Sequence, residues 1–598
     1  MIRKPLRPIA RVLRAREEGV DPAVIEAEAR AARLRKQRKA ERRKAASRLI
    51  LLASVFFLSF GAVGWRMVVL ATTPAAEPSG GGNYTRIVNQ RADIVDRNGA
   101  ILATNLVTFS LYARPQDMVD PVAAAEGLVR IFPDLEKERL LRWFTGARKF
   151  VWIKRKLSPE QKQAVYDLGE PGLRFGPREL RLYPNGRLAA HILGGTSFGE
   201  EGVYAAEVIG TAGVELEFDK FLRDPAEDGA PLELSIDLSV QAAMRRVLAG
   251  GMVMMQAKAA SAVVMEVDTG RIVAMVSLPD FDPNDRPNPP VSGDPGDSPL
   301  FNRVAQGKYE LGSTFKVLTA AQALETGLAT PDTMIPTRGP LKWGKFTIRD
   351  YKNYGAQLSL EDVIVKSSNI GTANLAVEIG AEAQQAFLRN LGLLEALPVE
   401  LREAGHSKPM FPAPKQWSEL STMTISYGHG IAVTPLHLAA AYATIANGGL
   451  RVRPTLLKNA PLPSEEERVV SEETSRQVLD MMRQVVVRGT ASLGDVPGYQ
   501  VGGKTGTADK PDPKGGYYEG KVLSTFASVF PTGDPKYVLV LSLDEPEIEM
   551  AGELRRTAGW TAVPVAAEVI RRIAPLLDVR PEYFDAPEET GTLTLTSN

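Results

Sequence analysis

Ser313 and Lys316 stand three residues apart in Gly312-Ser313-Thr314-Phe315-Lys316. The following VLTAAQALETG is rich in helix formers and predicts a helix that closes at Gly327. Residues three apart on a helix share a face. A serine hydroxyl is a poor nucleophile without a base. A lysine can be that base only where its ammonium form is disfavoured, by apolar surroundings, a second cation or the positive end of a helix. At a helix start the backbone N–H of Ser313 is also free to stabilise an oxyanion. Taken alone, Ser-x-x-Lys arises on helices by chance, and a surface Ser and Lys explain it as well.

Two further clusters offer partners. In Lys366-Ser367-Ser368-Asn369, Ser359 and Asp362 predict a capped start for LEDVIVK, and a second helix is expected after Ile370. Ser367 and Asn369 then occupy a tight turn that can aim a hydroxyl and a carboxamide into a cleft, although Ser and Asn are also ordinary helix caps. The third cluster is Gly503-Lys504-Thr505-Gly506-Thr507. Together with Gly498 it satisfies G-x-x-x-x-G-K-[ST], the phosphate-binding loop. That reading requires a strand before the first glycine and a helix from the lysine. Pro497 precedes the glycine and TGTADKPDPKGG follows the lysine, so no such helix forms. A strand edge fits better: Lys504 supplies charge, Gly506 lets a ligand approach the backbone, and the threonine hydroxyls bind a carboxylate.

The elements that position these residues are spread over 598 residues, enough for several domains. The formal net charge of +1 hides a basic N-terminus, where Met1–Arg48 carries sixteen Lys or Arg against six Asp or Glu, a local net of +10. The remainder is mildly acidic, which excludes a chain-wide nucleic-acid role. Residues 1–48 read as a basic cytoplasmic arm, a helix capped by Asp21 with Pro22 at its first position, suited to anionic lipid headgroups. Residues 49–70, LILLASVFFLSFGAVGWRMVVL, predict a single transmembrane helix, and the preceding charge leaves the N-terminus in the cytoplasm. A flexible linker spans 71–84. Residues 85–230 alternate short strands with turns, such as the hairpin signal Asn98-Gly99. Residues 231–576 form a second large domain. It opens on the strand-like LELSIDL, a helix from Ser239, and a hairpin turning at Asp268-Thr269-Gly270. Residues 577–598 form a polar tail. No cysteine is present, which excludes disulfides and thiol chemistry, and the four histidines show no metal spacing.

Ser313-x-x-Lys316, Ser367-x-Asn369 and Lys504-Thr505-Gly506 follow one another within one domain, the order and chemistry of the penicillin-recognising serine enzymes. From about Gln90 to Ile570 the chain resembles a class B penicillin-binding protein, a peptidoglycan D,D-transpeptidase, of the division-specific type. NRVAQGKYELGSTFK, WSELSTMTISYGHGIAVTPLHLA, KTGTADK and TAGWTAVPV carry the resemblance in the second domain. RADIVDRNGAILA, RLYPNGRLAAHILG and GTAGVELEFD carry it in the first. Leu311 stands where that family often has proline, and Ala92 where it often has glycine.

The resemblance implies an α+β fold: a transpeptidase domain like that of serine β-lactamases and penicillin-binding proteins, with an antiparallel sheet flanked by helices, plus a mixed N-terminal pedestal. It implies that Ser313 attacks the D-Ala-D-Ala carbonyl of a stem peptide with Lys316 as base. Ser367 relays the proton, Asn369 orients Lys316 and the donor, and Lys504, Thr505 and Thr507 hold the carboxylate, with Gly506 in the binding strand. The N–H groups of Ser313 and Thr507 form the oxyanion hole, and an amine of a second stem peptide resolves the acyl-enzyme, with D,D-carboxypeptidase hydrolysis as a side reaction. β-Lactams would acylate Ser313. No cofactor or metal is needed. Arg91, Asp96, Arg97 and Glu215 are expected to form salt bridges locking the pedestal. Expected partners are peptidoglycan stem peptides, the inner membrane, a membrane-embedded glycan polymerase and other division proteins, at the septum of a bacterium. An elongation-specific transpeptidase, a penicillin sensor and a β-lactamase are the alternatives.

Overall fold

The structure, a computed structural model, describes residues 17–19, 21–72, 91–201, 206–224 and 229–582. The expected linker, apart from its first two residues, and the C-terminal tail beyond residue 582 lie outside them, as does most of the N-terminal third of the basic arm. The chain divides into two compact units. Among the described residues of the first lies the helix Pro22–Thr72, which joins the expected arm and membrane segment without a break. Asp21 Oδ1 accepts the Ala23 N–H at 2.9 Å, the cap read from the sequence. Leu51, Phe56, Phe57, Phe60 and Trp65 on this helix are exposed. Among the described residues no helix is long and apolar enough to cross a membrane. Within Leu49–Leu70 the side chains are described only from 51 to 67, short of the about 20 residues a crossing needs.

In the second unit the pedestal is built on the long strand Ile101–Ala113, which pairs antiparallel with Val151–Leu157 and Leu173–Leu182. Asp120 caps the helix Pro121–Ile131, whose Leu128 packs with Leu111, Leu140 and Phe144 in a core of its own. The expected turn at Asn98-Gly99 joins Ile94–Val95 to the long strand, and Ile94–Val95 also pairs in parallel with Leu232–Glu233. LELSIDL is therefore strand for only two residues, because Asp237 already caps the next helix by accepting the Ser239 and Val240 N–H groups.

The four expected salt-bridge residues divide. Arg91 and Glu215 form a buried pair, Nε to Oε2 at 2.6 Å, and Glu215 Oε1 also accepts from Arg181 Nε at 2.7 Å. Asp219 completes the cluster at 2.7 Å from Arg91. Arg97 instead reaches Glu266 of the second large domain at 2.6 Å. Asp96 accepts backbone N–H groups of Asn98, Ala100 and Leu238, so it fixes a turn and the next helix rather than joining an ion pair among the described residues. The reason is geometric: the hairpin tip carrying both residues abuts the second domain, where Arg97 N–H donates to the Ile236 carbonyl at 2.9 Å.

The second large domain centres on five strands: β1 (Ala259–Glu266), β2 (Ile272–Leu278), β3 (Gly502–Pro511), β4 (Tyr517–Phe530) and β5 (Tyr537–Asp544). They run in the order β3-β4-β5-β1-β2 with every pairing antiparallel. β2 is buried at every position and β1 at all but its last, so both faces of the sheet are covered and these strands read as unbroken apolar runs. Helices α1 (Leu238–Met254) and α7 (Ala562–Ile573) lie together against the sheet, while α5 (Pro435–Ala446), entirely buried, packs as a separate layer. Helices α2 (Lys316–Glu325), α3 (Leu360–Val365), α4 (Asn369–Ile379) and α6 (Glu472–Arg488) frame the cleft beside β3.

Candidate active site

The three clusters converge at the free edge of β3. Gly312–Phe315 forms a 3-10 turn that leads into α2, so Ser313 and Lys316 open the helix as the spacing predicts, and Gly327 closes the segment with a φ of 67°. The turn presses on β3 with little but backbone between. A Cβ on Gly312 would meet the Thr507 carbonyl oxygen at 3.0 Å, and one on Gly506 the Leu311 carbonyl oxygen at 2.2 Å. A third glycine, Gly428, supports the turn from behind, where a Cβ would lie 2.1 Å from the Gly312 oxygen. Gly428 also sits at a φ of 82°, a conformation side chains disfavour. Gly428→Ala is thus expected to displace the Ser313 turn and slow acylation about 10²-fold, the cost of misplacing a reacting group by about 1 Å. Rates of penicillin acylation at unchanged melting temperature would check it, and an unchanged rate would refute the contact's importance.

Ser359 Oγ accepts the Asp362 N–H at 3.1 Å, as expected for the start of α3. α4 begins two residues earlier than predicted, at Asn369 with Ser368 as its cap, so Asn369 is the first helical residue rather than part of the turn. Ser367 alone occupies the bend, at a φ of 60° that is uncommon for a residue with a side chain. The bend turns its carbonyl and hydroxyl toward Lys316. Lys316 Nζ donates to the Ser367 carbonyl at 2.6 Å and to Asn369 Oδ1 at 2.7 Å, and lies 3.1 Å from Ser367 Oγ. Lys504 Nζ approaches the same hydroxyl from β3 at 2.9 Å. The Ser367 hydroxyl therefore sits between two amines, both fully buried.

Burial, and secondarily the Lys504 charge, hold the Lys316 ammonium far below its ordinary range, against an opposing pull from Asp350. Burial brings Lys504 down to about 7. A neutral Lys316 amine has two N–H groups, which the Ser367 carbonyl and Asn369 accept. Its lone pair is left to take a proton, and the Ser367 hydroxyl can pass one on. Thr505 Oγ1 lies 2.7 Å from Thr490 Oγ1, and Thr507 Oγ1 accepts the Ala558 N–H at 3.0 Å. The helix that the phosphate-loop reading requires is absent: from Lys504 the chain continues as strand through Pro511.

Asp350 is the residue that motif reading missed. Its carboxylate accepts the Asn369 and Ile370 N–H groups at 2.5 and 3.1 Å and the Ser368 hydroxyl at 2.7 Å, and the neighbouring Arg349 carbonyl accepts from Asn369 Nδ2 at 2.9 Å. Tyr442 of α5 was missed too, and its hydroxyl donates to the Thr314 carbonyl at 2.8 Å. Neither residue has a local sequence signature, because each contact spans a tertiary gap. Among the described residues no group of His, Asp and Glu could hold a metal. The buried His437 caps α5 through Thr434, and the half-buried His191 meets the Pro299 carbonyl. His429 lines the rim beside Tyr427 and Tyr517.

This geometry agrees with comparison to known proteins. A family model of the penicillin binding protein transpeptidase domain matches residues 260–571, and one of the penicillin-binding protein dimerisation domain matches residues 86–227. The chain belongs to the penicillin-binding proteins, and its pair of domains makes it a class B member. Among its relatives, the probable peptidoglycan D,D-transpeptidase FtsI of Caulobacter vibrioides is 38% identical over 512 residues, 84% of each chain. The peptidoglycan D,D-transpeptidase FtsI of Escherichia coli K12 is 29% identical over 565 residues, 89% of this chain and 91% of that protein. Crystal structures of penicillin binding protein 3 from Mycobacterium tuberculosis, complexed with aztreonam or ampicillin, superpose with a TM-score of 0.62 at 26% identity. They cover 83% and 85% of this chain and 97% and 99% of those.

Proposed function

We infer that the protein is a peptidoglycan D,D-transpeptidase and β-lactam target that cross-links stem peptides at the division septum. The observation that carries the chemistry is the Ser367 hydroxyl held between the buried amines of Lys316 and Lys504. Ser313 Oγ attacks the D-Ala-D-Ala carbonyl while the neutral Lys316 amine takes its proton. The tetrahedral oxyanion is met by the N–H groups of Ser313 and Thr507. Ser367 relays the proton to the departing D-alanine amine as the acyl-enzyme forms. Lys504, Thr505 and Thr507 hold the terminal carboxylate, and Gly506 keeps the strand edge open to it. An amine of a second stem peptide then attacks the ester and restores the Ser313 hydroxyl.

The FtsI relatives support the septal assignment over lateral synthesis. We assign 231–576 to the transpeptidase domain and 85–230 to the non-catalytic pedestal. The apolar 49–70 segment is the anchor in the inner membrane, with the arm 1–48 in the cytoplasm and the catalytic domain in the periplasm. The continuous helix Pro22–Thr72 and its exposed apolar side chains support that placement. Glycan polymerisation falls to a membrane-embedded partner within the division assembly.

Full-length protein in detergent, incubated with a fluorescent penicillin and mapped by mass spectrometry, tests the chemistry. A long-lived adduct on Ser313 is expected. Rapid turnover without an adduct would mark a β-lactamase instead, and no reaction from folded protein would refute the reading.

The second-order acylation rate reports the free enzyme and is expected to fall at both ends of the pH range. Lys316 must be neutral, so the rate is lost as pH drops through its depressed value. Lys504 must be cationic to hold a carboxylate, so the rate is lost as pH rises past about 7. Arginine stays charged throughout. Lys504→Arg should therefore abolish the alkaline limb and keep the acid one, and an unmoved alkaline limb would show that another group controls it.

A further inference from the structure

Between the strand Met334–Pro336 and Asp350 the chain makes a small hairpin, Leu341–Trp343 paired with Phe346–Ile348 and turning at Gly344-Lys345. Gly344 has the positive φ, 56°, that a tight two-residue turn requires of its first residue. The register places Leu341 opposite Ile348 and Trp343 opposite Phe346, so these four side chains share one face. The inner pair packs with Ile370, Ala373 and Met423, against the first turns of α4. The outer pair has no such cover: Trp343 is 39% and Phe346 51% exposed, and Tyr351 just beyond is 83% exposed.

The same segment carries Arg338, Lys342, Lys345, Arg349 and Lys352, all exposed, with Lys345 at the turn beside Phe346 and Lys342, paired with Thr347, on the opposite face. The one carboxylate in the segment, that of Asp350, is taken up by α4 and Ser368. Among the described residues none of the five cations has an ion-pair partner, although Lys345 Nζ lies 5.8 Å from the Phe346 ring. The hairpin is continuous with the catalytic cleft, because its return strand leads directly into the Arg349 carbonyl and Asp350 carboxylate that hold Asn369. A ligand fitted to this surface has flat C–H faces for the rings and several carboxylates for the cations.

We propose that the Trp343–Phe346 hairpin, with its unpaired cations, is a binding surface for the glycan strand and anionic stem peptide of the polymer whose D-alanyl end reaches Ser313. It rests on the transpeptidase reading above. The sugar rings stack on Trp343 and Phe346, and the carboxylates of the stem peptide meet Lys345 at the turn and, where the peptide crosses the hairpin edge, Lys342 and Arg349 on its other face. Continuity with Asn369 favours this occupant over an anionic membrane surface, which would have no reason to adjoin the cleft.

Full-length protein in detergent would be compared with the W343S/F346S and K342E/K345E variants for binding to soluble, uncross-linked peptidoglycan strands. Each variant is expected to lose affinity about tenfold, the scale on which an aromatic or charged anchor acts. The loss in K342E/K345E should shrink for strands stripped of their peptides. Acylation by a penicillin, too small to reach the hairpin, should stay within about twofold, showing an intact fold. Unchanged polymer binding would overturn the proposal. So would a matching fall in penicillin acylation, which would make the hairpin a support for α4. Loss of binding to anionic vesicles with polymer binding intact would also overturn it, in favour of a membrane contact. A wild-type chain that penicillin does not acylate would instead refute the transpeptidase reading itself.

Discussion

Ser313→Ala is expected to lower the rate of penicillin acylation by at least about 10⁴-fold, and Lys316→Met by nearly as much. In the proposed mechanism both losses would come from one event, transfer of the Ser313 proton to the Lys316 lone pair as the oxygen attacks. Methionine preserves much of the volume and stays comfortable in a fully buried position, so the fold should survive where a smaller residue would leave a cavity. The effects should not add. Ser313→Ala/Lys316→Met should be no slower than Ser313→Ala alone, because a missing nucleophile leaves the base nothing to do. Lys316→Met/Ser367→Ala should likewise fall short of the product of its single effects, since Lys316 and Ser367 belong to one hydrogen-bonded chain. Single-turnover labelling with the adduct quantified by mass spectrometry measures all four. Independent, multiplicative losses would mean that Lys316 acts apart from Ser313, and the assignment of the base would fail.

The second large effect lies far from the chemistry. Glu215 is wholly buried and holds Arg91 and Arg181, both also buried, with the Tyr183 hydroxyl 3.3 Å away. Removing one partner of such a set leaves charge in the interior without compensation, at a cost of about 3–5 kcal/mol. Glu215→Ala should therefore lower the calorimetric transition of the pedestal by several degrees or more. A bound penicillin should raise only the transition of the catalytic domain, which distinguishes the two. A shift worth less than about 1 kcal/mol would place the cluster with exposed ion pairs of little value.

The contrast between these sites explains what the sequence disclosed. Ser313, Lys316, Ser367, Asn369 and Lys504 were legible because each sits where a helix or strand begins. Capping, periodicity and glycine placement, which leave local marks, fix such positions. The hairpin of β1 and β2 was legible in its two apolar runs and the turn at Asp268-Thr269-Gly270, whereas the rest of the antiparallel sheet was expected only from the family resemblance. Asp350 was not legible. It reaches Asn369 across 19 residues that hold a loop, the short strand Gln357–Ser359 and α3, and nothing in RDYKNYG distinguishes it from a solvated aspartate. Arg97 and Asp96 were placed in the pedestal's own ion pairs because their partners, Glu266 and the Leu238 N–H, belong to a surface that forms only when the domains meet. The backbone contacts of Gly428 with Gly312, and of Gly312 with Thr507, were invisible because a glycine shows that a side chain is absent but not what occupies the space.

Those three glycines constrain how the protein can vary under antibiotic pressure. At Gly312, Gly428 and Gly506 the main chains of three separate segments meet, with no room for a methyl group at Gly428 or Gly506 and only a tight contact at 3.0 Å for one on Gly312. A lineage exposed to β-lactams cannot reshape the pocket floor by ordinary substitution there, since each change would cost the native reaction as well as the inhibitor. Heritable resistance is steered outward, to rim positions such as His429 and Tyr517, where a side chain can change without moving the backbone of the Ser313 turn.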